Sequence, residues 1–382
     1  MANKPYDYLA SRLADIFVQR FGEMLSTGNQ KMVCRSFPQQ NLDGRVFDGT
    51  NALLASMIAT GAGYGIPVWM TMGRKDELGL SVKKGEHSIP IIHFDVYFVE
   101  RATGKRVNGM SQDEYDALTF DEKAKLDRRC YLRFYPEFNI SQTNFAELYP
   151  EQHAELVDFF GYDRRKTVDF EFLDKMVREG LWNCPIEVTS EVTEAVYREN
   201  SDKISIAPRS NYVNEQEYYN DLLHAMASST GSEMRLDRRS VVPKDGDGLT
   251  AMAREALVCE LAAATAGSVL GLETTLSDHS VSLMSGWVNV IKEDPSFIYS
   301  AVMDASKASD MMIKGMGFVQ QKGKDISAIM AGVERAEEAR KKVEERREEY
   351  RKTKAQTKAK RAHRRAIKIS EASRSIKSKK SF

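Results

Sequence analysis

The stretch EYYNDLLHAMASSTGSEMRLDR, residues Glu217–Arg238, decides how the larger half of the chain is expected to fold. Its apolar side chains recur at three- and four-residue spacing, which predicts one amphipathic helix with a buried stripe: Tyr219, Leu222, Leu223 and Met226. Glu215 and Glu217 suit the first turn, because a helix N-terminus carries a partial positive charge. Gly231 is expected to end the helix. His224 lies beside the apolar stripe, so the helix would hold an imidazole at a fixed place.

The same stretch has the spacing of a zinc-peptidase helix without most of its residues. That helix reads H-E-x-x-H, in which two histidines one turn apart bind the metal and the glutamate acts on bound water. Here the frame reads His224-Ala225-Met226-Ala227-Ser228. An alanine methyl cannot take a proton from water, and a serine hydroxyl is a poor zinc ligand beside imidazole. The frame therefore predicts such a fold with its chemistry largely lost.

Two acids on a later helix are the other candidate metal ligands. Glu255 and Glu260 lie in a helical run that Thr250 is expected to cap. Five positions separate these acids, about 140° around a helix, so they cannot easily face one point. His224 with one acid falls below the three protein ligands that are usual for catalytic zinc. No cofactor is therefore expected. For His224, a half-buried histidine bonded to an acid is the first interpretation, and a residual zinc or manganese site is the second.

The composition indicates real cores and a segregated charge. The 382 residues are 42% apolar, so we expect two compact domains with extensions. The formal net charge is zero, yet from residue 351 to the end thirteen Lys and Arg face a single acid, Glu371. A basic tail on an acidic body suggests a polyanion as partner, and solubility is the alternative explanation.

Apolar runs and cysteines in the sequence bear on the cellular location of the protein. The sequence has no apolar run of about 18 residues, and its N-terminus lacks the basic start and apolar block of a secretory signal. The four cysteines are far apart and form no C-x-x-C pair: Cys34, Cys130, Cys184 and Cys259. These features predict reduced thiols, a cytoplasmic location and no membrane contact.

The first part of the chain predicts a small α+β unit. Residues 5–27 suit an amphipathic helix, Asn51 is expected to cap a second helix, and residues 89–94, 95–100 and 130–135 predict three strands. The polar interval 101–127 predicts an insertion with a short helix. Aromatic and basic residues on or near the loops suit single-stranded nucleic acid, because bases stack on rings while cations follow phosphates: Tyr64, Trp69, Arg74, Lys83 and Lys84. A core position for Trp69 and a solvated turn for the lysines are the competing interpretations.

Several motifs, taken in order, resemble a known family. D-G-R-x-F-x-G-x-N-A-L-L from Asp43 is followed by P-x-W-M-T, G-x-x-V-x-K-G-E and F-N-I-S-Q-T, which ends at Thr143. This series is similar to the N-terminal single-stranded-DNA-binding domain of the ArdC antirestriction family of mobile elements. A hairpin over residues 195–208, the frame at His224 and A-R-E-A-L-V-C-E-L from Ala253 resemble the zincin-like metallopeptidase domain of that family. In that family an acid of the second helix supplies the third metal ligand.

The resemblance implies an α+β chain with three parts. Residues 1–145 would form the single-stranded-DNA-binding domain, residues 146–320 a mainly helical zincin-like domain, and residues 321–382 a charged helix with a disordered basic tail. The leading interpretation is a non-enzymatic single-stranded-DNA-binding protein of a mobile element that protects incoming DNA, with the second domain as a scaffold or a surface for a docked protein. A DNA-associated metallopeptidase with an atypical site at His224 and Glu260 is one alternative. An adaptor that docks through its tail is the other.

Overall fold

A computed structural model describes residues 4–33, 38–161, 170–238, 248–317, 323–349 and 351–352. They fall into two units, Met1–Ser327 and Ala328–Phe382. The first elements are α1 (Lys4–Thr27), β1 (Lys31–Val33), β2 (Gln40–Asn41), α2 (Gly49–Ala62), β3 (Val68–Thr71), α3 (Met72–Glu77), β4 (Ile89–Glu100), β5 (Arg106–Val107), α4 (Gln112–Asp116), α5 (Phe120–Lys123) and β6 (Leu126–Asn139). They are followed by α6 (Phe145–Leu148), α7 (Pro150–Phe159), α8 (Glu171–Glu179), β7 (Ile186–Val188), β8 (Val196–Arg198), β9 (Lys203–Ile206), α9 (Glu215–Ser229), α10 (Gly248–Leu270), β10 (Thr274–Thr275), α11 (Asp278–Glu293) and α12 (Pro295–Gly315).

A long antiparallel hairpin is the centre of the larger sheet. β4 and β6 pair along their whole length, and the five strands lie in the order β2-β3-β6-β4-β5, with β2 and β3 parallel. The interval 101–127 lies mainly at the tip of this hairpin and contains β5, α4 and α5, so the predicted insertion is confirmed. A smaller sheet has the order β7-β9-β8, and β1 pairs with β10.

The helix α2 is tied to the sheet by a residue with a different role from the one expected. Asn51 does not cap α2, which begins at Gly49 after Asp48. Its side chain instead donates to the carbonyl of Ile92 and accepts from the N–H of Ile92, each at 2.8 Å. The prediction that Asn51 caps the helix is therefore wrong. Thr250 lies inside α10, which begins at Gly248, so that predicted cap is wrong as well.

One continuous core joins the two predicted domains within the first unit. The apolar side of α1 is buried, and Phe21 lies against Trp287 of α11 with ring centroids 5.9 Å apart. Leu13 and Phe17 of α1 belong to the same cluster as Leu223 of α9. The mixed α+β architecture is confirmed. A domain boundary near residue 145 stays a prediction, because the apolar core continues across it.

The remaining predictions concern the charged C-terminal helix, the cysteines and membrane-spanning helices. Residues 327–349 are helical, as the charged pattern predicts, while residues 353–382 of the basic tail lie outside the described part. Cys184 and Cys259 are buried thiols outside any disulfide; Cys34 and the side chain of Cys130 lie outside the described residues. Within the described ranges, no helix combines the length and apolar character that crossing a membrane requires.

Candidate nucleic-acid interface and remnant metal site

The helix that carries His224 forms as its sequence predicts. α9 begins after Asn214, whose side chain accepts a hydrogen bond of 2.9 Å from the N–H of Glu217. The predicted apolar stripe of α9 is buried in the main core. The helix ends at Ser229, two residues before Gly231. Burial of one side of α9 fixes the direction of His224 on the neighbouring side.

The structure brings together His224 and one of the two candidate acids. The Nε2 atom of His224 lies 3.5 Å from Oε1 of Glu260 on α10. The carboxylate of Glu260 is buried and accepts two hydrogen bonds from Ser277, from its N–H at 3.2 Å and its hydroxyl at 2.9 Å. Ser277 also caps α11 by accepting from the N–H of Ser280. Glu260 therefore joins α10 to the start of α11 as well as approaching His224.

Glu255 does not belong to this pair. Its carboxylate accepts hydrogen bonds from Arg238, at 2.6 Å to Oε1 and 3.2 Å to Oε2. The same guanidinium donates to the carbonyl of Ala227 and the hydroxyl of Thr230 at the end of α9. The candidate role of Glu255 as a metal ligand is therefore corrected: its carboxylate is committed to a mostly buried ion pair that ties α9 to α10.

The acid nearest to His224 along α9 is also committed elsewhere. Asp221 lies one turn before His224, and its Oδ2 accepts from the hydroxyl of Tyr212 at 2.5 Å and the N–H of Ala195 at 2.6 Å. Burial raises the pKa of Asp221. These contacts join α9 to the residue before β8.

The donors around His224 do not fit a catalytic metal ion. Its Nε2 is buried without a hydrogen-bond partner among the described residues, and one carboxylate lies beside it. The described part of the chain has no group of three or more His, Cys, Asp or Glu side chains that could hold a metal. Ala225 is buried at the general-base position of the frame. We therefore derive no reaction step through a metal.

One of the five residues expected to contact DNA lines a cavity, and two more lie next to its wall in the chain. This cavity, of about 310 Å³, lies between α1, the end of α2 and the turn that begins β4. Tyr64 lines the cavity, and Lys83 and Lys84 are exposed residues that directly precede Gly85 in its wall. The Nζ atom of Lys83 donates to the carbonyl of Ser141 at 2.9 Å. Both lysines therefore lie next to the cavity in the chain.

The other two residues are placed differently. Trp69 is 0% exposed, and its Nε1 donates to Oε1 of Gln39 at 2.8 Å. A ring enclosed in this way cannot stack on a base, so the DNA-contact role of Trp69 is wrong and the core interpretation is correct. Arg74 lies on α3, where its guanidinium is 2.7 Å from the carboxylate of Glu77. Nothing in the described contacts joins Arg74 to the cavity.

A carboxylate is fixed inside the cavity by two donors. Oε2 of Glu86 accepts from the hydroxyl of Tyr64 at 3.0 Å and from Nε2 of Gln142 at 2.9 Å. Burial, together with the charge of Glu86, raises the pKa of Tyr64, so this hydroxyl stays protonated and donates. Gln142 is buried; its amide also donates to the carbonyl of His87 and accepts from the N–H of Asn139.

The long hairpin carries an exposed face that the sequence predictions missed. Cross-strand partners in antiparallel strands point to the same side, so the pairs Tyr97–Arg129 and His93–Arg133 share one face. The opposite face packs on α1, where Phe134 stacks on Tyr8. Six residues of the exposed face are basic or aromatic: His93, Tyr97, Arg106, Arg129, Arg133 and Tyr135. We call these six residues the ribbon face.

Contacts on the ribbon face order its rings and guanidinium groups. The guanidinium of Arg106 lies 5.0 Å from the ring centroid of Tyr97. The rings of His93 and Tyr135 meet edge to face with centroids 5.3 Å apart, and Tyr135 is 41% exposed. Arg133 pairs with Asp95 at 2.8 Å. The alternation of Arg129, Arg133 and Tyr135 with apolar residues was visible in the sequence and could have identified this face.

Comparison with known proteins identifies both halves of the first unit. A family model described as the N-terminal domain of anti-restriction factor ArdC matches residues 16–133, and one described as a zincin-like metallopeptidase matches residues 177–304. The crystal structure of the antirestriction protein ArdC from plasmid R388, in its metal-free form, has a TM-score of 0.55 at 22% identity and covers 81% of this chain and 99% of that chain. The chain belongs to the ArdC-like family.

Other relatives of this ArdC-like chain are much longer. Two Escherichia coli proteins named DNA primase TraC are 25% and 29% identical to it over 280 and 277 residues. Each alignment covers 72% of the ArdC-like chain, but 24% and 17% of the respective relative. The chain thus spans about a quarter or less of these curated relatives. A Mn(II)-bound structure of the R388 protein matches with a TM-score of 0.54 at 22% identity, and covers 81% of this chain and 99% of that one.

Proposed function

We propose that this ArdC-like chain is a cytoplasmic single-stranded-DNA-binding protein of a mobile element that protects incoming DNA. The observation that supports the proposal most is the ribbon face, where rings and guanidinium groups alternate on exposed strands. Rings can stack on any base, while guanidinium groups stack on bases and pair with phosphates. A pattern of this kind binds single strands with little regard to sequence.

The charge of the hairpin agrees with a polyanionic ligand. On the ribbon face Arg129 pairs with Asp127 and Arg133 with Asp95, while the guanidinium of Arg106 lies over the ring of Tyr97. The pairs of these carboxylates with Arg133 and Arg129 are largely exposed, so each contributes little to stability and can exchange for a phosphate. The thirteen Lys and Arg from residue 351 onward would add a sequence-independent attraction.

The names of the similar proteins support the biological setting. One is an antirestriction protein of a plasmid, and two are named DNA primases. Antirestriction on a mobile element gives a single-stranded-DNA-binding protein a purpose during DNA entry. Primase activity is not part of the proposal, because the alignment leaves most of each TraC chain unmatched.

The zincin-like domain is proposed to act as a scaffold or as a docking surface for a protein, without peptidase activity. Ala225 cannot act as a general base, a role commonly worth about 10²–10⁴ in rate. His224 and Glu260 supply two donors where catalytic zinc usually has three protein ligands. Metal analysis of the purified protein tests the alternative of an atypical metallopeptidase: one zinc or manganese ion per chain would favour that alternative.

The main experiment measures binding of a fluorescent 12-mer to the full chain at two salt concentrations. We expect tighter binding to single than to double strands, and weaker binding at higher salt. The double variant Arg129→Ala, Arg133→Ala should lose about tenfold or more in affinity, since each phosphate or base contact is commonly worth 1 kcal/mol or more. Arg178→Ala is the matched control, because Arg178 forms a similarly exposed ion pair, at 2.7 Å with Glu171, on α8. Equal affinity for both kinds of strand, or equal loss in variant and control, would contradict the proposal.

A further inference from the structure

The cavity beside Tyr64 has a more specific chemistry than general DNA binding requires. We propose that it takes one base of single-stranded DNA, and that Glu86 selects bases with an exocyclic amine over thymine. This inference rests on the proposed function, and it names the part of the DNA that enters the protein.

The size and walls of the cavity suit one planar base. Its volume of about 310 Å³ lies at the lower end of small-molecule sites, which excludes a duplex and favours a single ring system. Ile16, Ile58 and Ile89 provide apolar walls, and the ring of Tyr64 lies among them. Glu86 and Gln142 supply polar atoms to the same space. Apolar walls with a few fixed polar groups are what a base with one hydrogen-bonding edge needs.

The charges of the cavity favour the base over the phosphate. The two arginines in the wall face acids of α1: Arg12 lies 3.5 Å from Asp15, and Arg20 lies 3.4 Å from Glu23. Among the described residues, the side chains that donate hydrogen bonds to Glu86 are the neutral groups of Tyr64 and Gln142. The cavity wall therefore has an excess of negative charge, which repels a phosphate. A phosphate would instead lie outside, where Lys83 and Lys84 are exposed.

Glu86 presents a fixed acceptor. Tyr64 and Gln142 both donate to Oε2, and in the described structure Oε1 has no hydrogen-bond partner. Gln142 cannot rotate freely, because its amide oxygen accepts from Asn139 and its nitrogen also donates to the carbonyl of His87.

The Oε1 acceptor of Glu86 matches the edges of amine-bearing bases. Cytosine and adenine each present an NH₂ donor beside a ring acceptor, and guanine presents an NH₂ donor beside N1–H, so each can donate to Oε1. Thymine has one N–H between two carbonyl oxygens, and those oxygens repel a carboxylate. Glu86 should therefore discriminate cytosine from thymine, two pyrimidines of nearly equal size.

The test compares fluorescent dC and dT 12-mers on the full chain at pH 7.5. We expect dC to bind at least about tenfold more tightly than dT, as one charge-assisted hydrogen bond predicts. In Glu86→Gln the ratio should fall close to one, because an amide can accept from an amine or donate to a carbonyl. Asp15→Asn is the matched control: it neutralises another carboxylate of the same wall that is 70% exposed, and it should keep the dC preference.

The possible outcomes distinguish a failure of the inference from a failure of the proposed function. No binding of either oligonucleotide overturns the proposed function. Equal binding of dC and dT by the natural chain overturns the inference and leaves single-strand binding in place. Equal changes in Glu86→Gln and Asp15→Asn overturn it as well, because they indicate a general charge effect. If Glu86→Gln does not fold, Tyr64→Phe replaces it; that variant keeps the ring, frees Oε2 of one donor and should lower the dC preference, and an unchanged preference contradicts the inference.

Discussion

Arg238 and Glu255 form a mostly buried ion pair at 2.6 Å that also closes the end of α9. The contact depends on Gly231, because a Cβ atom there would lie 2.7 Å from Oε1 of Glu255. The acid that the sequence offered as a metal ligand is therefore a structural element. The structural role of Glu255 and the candidate metal-ligand role of Glu260 can be separated by experiment.

Glu255→Ala should destabilise the chain by about 3–5 kcal/mol, because it leaves the guanidinium of Arg238 buried without its counter-charge. Denaturant unfolding of the full chain measures this change. Glu171→Ala is the control: its ion pair with Arg178 is exposed on both sides, so its loss should cost less than about 1 kcal/mol. A cost for Glu255→Ala as small as that of the control would contradict the structural role.

Ser228→His should create a metal site with three protein donors at His224. Position 228 lies one turn after His224 on α9, so a second imidazole would join His224 and Glu260 as a third donor. Calorimetric titration with zinc or manganese measures the effect, and adding Glu260→Gln should weaken it. If Ser228→His binds no metal, α9 and α10 are not arranged as in a zincin. Ala225→Glu is expected to affect only catalysis, because that residue is not a ligand in the frame.

The stability of the fold should depend on pH through Glu137. Burial raises the pKa of Glu137, which is 6% exposed on β6, from an ordinary value of 4.5 to about 7. The folded state then binds the proton more tightly than the unfolded state does. The stabilisation from this proton is fully present below pH 4.5 and is lost as pH rises through 7. The loss is about 3 kcal/mol. Glu137→Gln should remove this component, and unfolding of both proteins at pH 5 and pH 7.5 measures it; an equal pH dependence in both would contradict the assignment.

A fragment of residues 1–145 should not fold cooperatively by itself. Leu9, Leu13, Phe17 and Phe21 of α1 are completely buried, and in the fragment they would lose partners such as Trp287. Each apolar side chain exposed in this way costs about 1.5–3 kcal/mol. Circular dichroism on heating measures the result. A sharp, reversible transition close to that of the full chain would show instead that residues 1–145 are autonomous.

Removal of residues 351–382 should reduce the salt dependence of DNA binding more than its specificity for single strands. If the tail contacts about six phosphates, the slope of log K against log salt should fall by roughly four. The slope is measured by anisotropy at several salt concentrations. An unchanged slope would assign the tail to solubility, the alternative that its composition allows.

The local patterns of the sequence predicted elements well and their partners poorly. The apolar spacing of α9 and the alternation in the hairpin are local, so both elements form where expected. Asn51 and Trp69 have side chains whose partners, Ile92 and Gln39, are distant in sequence. No local propensity separates a cap from a tertiary clamp, or an exposed tryptophan from a buried one. The loss of peptidase chemistry at the frame of His224 stays a prediction, because it rests on the residue types alone.

The cavity could be predicted in part. Tyr64, an aromatic residue predicted near a loop, lines the cavity, and Lys83 and Lys84 directly precede Gly85 of its wall. Glu86 and Gln142 were missed, since their importance arises from hydrogen bonds between three segments that only the fold brings together. The ribbon face was missed for another reason. The sequence pattern predicts its strands, but which side of each strand stays in solvent depends on the packing of the fold.

Gln40 and Lys324 bind each other through two hydrogen bonds of 2.8 Å, although 284 residues separate them in the chain. Together with α1, which packs against α11 and α12, this clamp makes the fold depend on contacts between its two ends. Folding with so many distant contacts is slow, because loop closure must precede the gain from packing. During synthesis the buried face of α1 leaves the ribosome long before its partners do. The nascent chain therefore has an interval in which chaperones can bind α1 and in which aggregation competes with folding.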